Sequence, residues 1–105
     1  MTTTLIKHGT IVDGTGKSAF AGSVLVEDDR IAGIFPAGAV LPSADSQIDA
    51  QGLIVCPGFI DMHSHADWVL PLAHHAPILK CLVEQGITTV VAGNCGISPA
   101  PMTPD

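Results

Sequence analysis

Apolar and polar positions change rhythm partway along this chain, and the change separates two kinds of structure. Over residues 3–55 the apolar residues come in short runs broken by turn formers. "TLIKHGTIV" alternates loosely and stops at "DGTGK", a cluster of turn residues. "GSVLVEDDRIAGIFPAG" has the form of a hairpin: Val24 and Val26 share a face, Asp28 and Asp29 occupy the turn, and residues 31–35 return. "AVLPSADSQ" is small, polar and proline-containing, which predicts a surface loop. Extended structure resumes in "IDAQGLIVCPGFIDMHSH", where Leu53, Ile54 and Val55 lack alternation, as in a strand covered on both faces.

After residue 67 the period lengthens. "PILKCLVEQGI" places Ile78, Cys81, Leu82 and Gln85 on one helical side, with Pro77 suited to the first turn and Gly86 to the position past the end. "ITTVVAGNCG" reads as a β-branched strand of the buried type, and the prolines of "ISPAPMTPD" predict a loop. The order strand, helix, strand from 53 to 92 predicts one parallel βαβ crossover. The expected fold class is therefore α/β, with a β-rich segment over residues 1–52 and a strand–helix–strand segment over 53–105.

Composition narrows the function classes. Hydrophobic residues make up 47% of the 105 and charged residues 13%, which excludes a solvating disordered tail. Ten acids against four bases, with no Lys/Arg cluster, argue against nucleic acid or an anionic membrane surface as partner. The opening "MTTTLIKHGTIVDG" has no apolar core behind a basic start, so no signal peptide is read there. No apolar run approaches the roughly 18 residues a membrane helix needs. Cys56, Cys81 and Cys95 form an odd set without disulfide-framework spacing, which predicts a reducing cytoplasm. A βαβ unit with open edges exposes unpaired backbone and apolar strand faces, so self-association into a homo-oligomer is expected.

Two motifs compete for the chemistry. "DGTGKS" ends like a phosphate loop, but the glycine required five positions before Gly16 is replaced by Ile11, and strand-like sequence follows where a helix should start. A hairpin turn with a solvated lysine is the better reading. "DMHSHAD" is stronger. On a strand, residues two apart face the same way, about 6.5–7 Å apart. His63 and His65 thus present two imidazoles to one side, just beyond an apolar strand, where α/β enzymes build their sites. Imidazole nitrogen is a good zinc ligand, and a neighbouring carboxylate orients an imidazole or contacts substrate; Asp61 and Asp67 are the candidates. Cys95 in "GNCG" follows the second strand, at the same edge if the strands are parallel, and zinc accepts mixed sulfur and nitrogen ligation. Set against these are commoner fates: His8, His74 and His75 read as solvent-exposed, and Cys56 and Cys81 as core.

These residues also carry a resemblance. "GLIVCPGFIDMHSHAD" resembles the first-strand signature of the amidohydrolase superfamily, and "EQGITTVVAGNCGISPAP" is similar to the second barrel strand of its N-acyl-D-amino-acid deacylase (D-aminoacylase) branch. "IKHGTIVDGTGKSAFAGSVLVEDDRIAGI" is similar to the way such proteins open, with part of a small β-sandwich beside the barrel. The resemblance implies the first βαβ unit of an incomplete (β/α)8 TIM barrel. It implies zinc as cofactor, His63 and His65 at one metal position, and Cys95 on the tightly held ion. The implied reaction is hydrolysis of a small-molecule N-acyl-D-amino acid by metal-activated water, with an aspartate as general base. A whole barrel takes about 250 residues. The chain therefore resembles an amino-terminal portion lacking that aspartate and the later histidines, and is expected to be inactive alone. Another amidohydrolase branch, such as a dihydroorotase-like cyclic amidase, lacks the "GNCG" motif. A non-catalytic, self-associating β-rich module is the alternative of a different class.

Overall fold

β1 (Thr3–Ile11) organises the amino-terminal half, with partners along both of its edges. In the computed structural model, which describes residues 1–99, it pairs antiparallel with β2 (Phe20–Glu27). β2 in turn pairs antiparallel with β3 (Arg30–Pro36). Along the other edge β4 (Ser46–Asp49) and β5 (Ile54–Val55) both run parallel to β1, completing a five-stranded sheet. Thr4 partners Ser46 and Lys7 partners Asp49, whereas Thr10 partners Ile54. The β2–β3 hairpin is the one expected, turning at Asp28, and β2 rather than a helix follows Lys17.

The loose alternation of β1 has a physical cause. Its register against β2 slips between Ile6 and Gly9, where His8 takes a left-handed φ of 63°. Such a bulge reverses which face each later residue occupies. Ile6 and Ile11, an odd number of positions apart, accordingly line one apolar groove with Val24, Val26, Ile31 and Ile34. His8 is exposed as expected, yet it is partnered: its Nδ1 lies 3.1 Å from Asp49 Oδ1. Asp45 fastens the start of β4 to β1, accepting the Thr3 amide at 2.7 Å and the Thr3 hydroxyl at 2.8 Å.

A second compact unit begins at Gly58. β6 (Phe59–Asp61) and β7 (Ile87–Val90) pair parallel, with Phe59 opposite Ile87 and Asp61 opposite Val90. The intervening chain holds a 3-10 turn (Ala66–Trp68) and α1 (His75–Glu84). The strands approach closely at Gly58, where a Cβ would lie 2.7 Å from the Cβ of Thr88 and overlap the rest of that side chain. Glycine is what permits the approach.

Several expectations need correction. Ile54–Val55 belongs to the β1 sheet, and Phe59–Asp61 is the strand that pairs with β7. The compact units divide along the chain between Pro57 and Gly58. Leu53 and Ile54 are 61% and 68% exposed, not covered on both faces. α1 starts at His75, and its half-buried stripe is His75, Leu79 and Leu82; Ile78, Cys81 and Gln85 face outward. Cys56 and Cys81 are exposed rather than core. β7 is half-buried only at Ile87 and Val90. The exposures share one cause: among the described residues no further layer packs on the outer faces of β5, β7 and α1. The tail expected as loop shows no regular element over residues 97–99, and residues 100–105 lie outside the described residues.

Candidate metal centre

Parallel pairing puts the carboxyl ends of β6 and β7 at the same edge, and the chemistry-bearing residues follow both strands there. The Val91 amide donates to Asp61 O at 2.8 Å, and the Ser64 amide donates to Val91 O at 3.1 Å, so the ladder continues past each strand. Asp61 Oδ1 accepts the His63 amide at 3.1 Å. The backbone thus turns on a local Asx bond at the point where the histidines begin. Ser64, between them, is buried at 8% exposure while His63 and His65 are both exposed, so alternation continues beyond the strand.

The imidazoles of His63 and His65 stand edge to face, with centroids 5.6 Å apart and planes 74° apart. Cys95 Sγ lies 3.6 Å from His63 Nε2. One donor atom from each of His63, His65 and Cys95 falls within 4.8 Å of the other two, the one such group among the described residues. Zinc bonds of about 2.0–2.1 Å to nitrogen and 2.3 Å to sulfur, at tetrahedral angles, separate N and S by roughly 3.5 Å. The observed sulfur–nitrogen separation already meets that figure, and side-chain rotation can close the widest one. The donor set therefore fits zinc in both spacing and softness.

Cys95 reaches this position through an unusual backbone. Its own φ is 60°, and the flanking Gly93 and Gly96 have φ of 75° and 68°, all left-handed. Such a conformation costs a non-glycine residue about 1–3 kcal/mol and is held only where the surroundings impose it. Asn94 supplies part of that restraint, as its Nδ2 donates to Val91 O at 2.6 Å and to Ser64 O at 3.1 Å.

Asp61 and Asp67 lie beside this group rather than in it. Asp67 Oδ2 accepts the Ser98 hydroxyl at 2.8 Å, and its Oδ1 is buried without a partner among the described residues. His74 is exposed, whereas His75 is half-buried with Nδ1 2.7 Å from Leu72 O. Sequence reasoning passed over Asn94 and Ser98. Both lie close to Cys95 within "GNCGIS", and a hydrogen-bonding side chain in a glycine-flanked turn was the available signal.

Residues 47–103 match the amidohydrolase family. N-acyl-D-aspartate deacylase from Alcaligenes xylosoxydans xylosoxydans is 46% identical over 101 residues, covering 94% of this chain and 19% of that protein. The crystal structure of N-acyl-D-glutamate deacylase from Bordetella bronchiseptica, complexed with zinc and a phosphonate mimic of the tetrahedral intermediate, is similar at a TM-score of 0.80. Identity to it is 46%, over 93% of this chain and 20% of that one. D-aminoacylase, studied for the role of its binuclear metal centre, is similar at a TM-score of 0.79 and 42% identity, over 94% of this chain and 20% of that one. The chain spans about a fifth of the length of these relatives.

Proposed function

The chain belongs to the amidohydrolase family, and from that premise we propose that it supplies the first metal donors of a zinc enzyme hydrolysing N-acyl-D-amino acids. The observation that carries this reading is the convergence of His63, His65 and Cys95 within 4.8 Å beyond two parallel strands. In this reading β6, α1 and β7 are the first crossover of a (β/α)8 barrel, whose sites lie at the carboxyl ends of the strands. The β1–β5 sheet is then one layer of a small β-sandwich. The three free thiols suit a cytoplasmic protein, and the exposed strand faces suit a homo-oligomer.

When bound, zinc supplies Lewis-acid polarisation of the amide carbonyl and eases deprotonation of the attacking water. This chain's residues hold and orient. His63 and His65 each offer a neutral imidazole nitrogen, and Cys95 offers a thiolate. Asp61 fixes the backbone at His63, and Asp67 ties the segment after Cys95 to the turn after His65 through Ser98. The three-donor group contains no carboxylate. By the resemblance to the deacylases, the general base, which takes a proton from water and returns one to the leaving amine, is an aspartate of the segments that the longer relatives carry.

A chimera tests the proposal: this chain replaces the matching segment of the Alcaligenes N-acyl-D-aspartate deacylase. The expected result is zinc-dependent hydrolysis of an N-acyl-D-amino acid by the chimera and none by the 105-residue chain alone. A folded, zinc-loaded chimera inert toward N-acetyl-D-aspartate, N-acetyl-D-glutamate and N-acetyl-D-methionine overturns it.

A further inference from the structure

One carbonyl oxygen, that of Val91, receives two donors from different parts of the chain: the Ser64 amide at 3.1 Å and the Asn94 carboxamide at 2.6 Å. The same Asn94 Nδ2 donates to Ser64 O at 3.1 Å. Ser64 is the residue between the two histidines, and Asn94 is the residue before the cysteine. Both protons of a single amide group are therefore spent fastening the His63–His65 backbone to the Cys95 turn. The turn itself closes through the Ile97 amide on Asn94 O at 3.1 Å. Cys95 sits within it at a φ of 60°, which a free loop of L-residues rarely holds.

We propose that Asn94 is a positioning residue that sets the distance between the Cys95 sulfur and the two imidazoles, and so prepares the donor group for its ion. The inference rests on the metal-centre reading of His63, His65 and Cys95. Asn94 touches none of the three donor atoms in this role; it acts through the backbone that carries them. Aspartate at this position keeps the size but offers no donor when ionised, and it sets a negative charge against two carbonyl oxygens. Alanine removes both donors.

Cobalt(II), whose thiolate charge-transfer absorption reports a bound cysteine, is the probe. It is titrated into the full chain carrying Cys56→Ser and Cys81→Ser, so that Cys95 is the one thiol. Asn94→Ala and Asn94→Asp are expected to bind cobalt about 10–100-fold more weakly, the usual loss when a group orienting a ligand is removed. They are also expected to show a weaker charge-transfer band per bound ion at saturation. A purely structural role lowers the unfolding temperature but leaves the band per bound ion unchanged, which overturns the proposal. Folded variants that match the parent within about twofold, with the same band, also overturn it. Absence of the band in the parent overturns the metal-centre reading itself, and this inference with it. A substitution-free measurement guards against misfolding: in the unmodified chain the Asn94 carboxamide protons exchange with solvent more slowly than those of the exposed Gln51. Equal rates overturn the proposal.

Discussion

The sulfur of Cys95 lies 3.6 Å from Nε2 of His63 although 32 residues separate them. Nothing local brings the two together. The separation follows from parallel pairing of β6 with β7, from α1 returning the chain to the start of β7, and from a left-handed turn that lifts the thiol toward the imidazoles. Each of these can be disturbed separately.

The donor group is open to reagents. All three cysteines are exposed, so a disulfide reagent should titrate three thiols in the metal-free chain. With saturating zinc, Cys95 should be protected while Cys56 and Cys81 still react, and mass mapping of the labelled peptides distinguishes them. Labelling of Cys95 at an unchanged rate under zinc contradicts a thiolate ligand.

Substitution at the donors should weaken metal binding far more than it weakens the fold. Cys95→Ser, His63→Ala and His65→Ala are each expected to lower zinc affinity by about tenfold or more, because each removes one of three ligands. Serine keeps the same Cβ in the same left-handed backbone, and Cys95 is exposed, so the unfolding temperature of Cys95→Ser should change little. Calorimetric titration and thermal melts read the two effects separately.

Gly58→Ala should loosen the second unit. The added methyl would meet the Thr88 side chain across the β6–β7 ladder, and overpacking of this kind costs about 1–3 kcal/mol. The amides of Asp61 and Val91 should lose hydrogen-exchange protection, while those of Leu5 and Leu25 in the other sheet should not. Pairing Gly58→Ala with Thr88→Gly, which also removes the Cβ 2.7 Å away, is expected to relieve the overlap, whereas Thr88→Ala leaves that Cβ in place.

Acid should open the β1–β4 edge. The Asp45 carboxyl is held below its ordinary value of 3.8 by the Thr3 amide first and the Thr3 hydroxyl second. A carboxyl lowered in the fold contributes stability that is full above the unfolded value, and that contribution is lost as pH falls through the lower folded value. Loosening is thus expected below about pH 3.8. Asp49 behaves alike, lowered first by His8 and then by the Gln51 amide. Asp45→Asn should make the acid limb of a circular-dichroism titration shallower; an identical limb assigns the loss elsewhere.

Exposed apolar side chains should drive self-association. Ile54, Phe59 and Ile60 are 68%, 59% and 59% exposed, and unpaired strand edges offer further backbone donors and acceptors. Light scattering should report a mass above the 10.8 kDa of one chain, rising with concentration. A constant monomer mass contradicts it. No helix among the described residues is long and apolar enough to cross a membrane.

Local signals carried a good part of this structure. The β2–β3 hairpin was legible because two apolar runs flank an Asp-Asp turn, and the end of α1 because Gly86 stops it. His63 and His65 were legible as a pair because alternation holds them on one side whatever surrounds them. Burial was not legible. Leu53, Cys56 and Cys81 have apolar or thiol side chains, and that chemistry permits burial without requiring it; only a covering layer decides.

The amino-acid sequence by itself determined which donor types this protein carries, their spacing along each segment, and the turns that end its strands, because all of these are set by neighbours a few residues apart. Tertiary structure alone decided that Phe59–Asp61, and not Ile54–Val55, pairs with β7, since both runs are apolar and pairing is chosen across long sequence distance. It likewise decided that Asn94 ties the histidine segment to the cysteine turn. A carboxamide next to a cysteine names no partner until two strand ends bring the partner carbonyls within 3.1 Å.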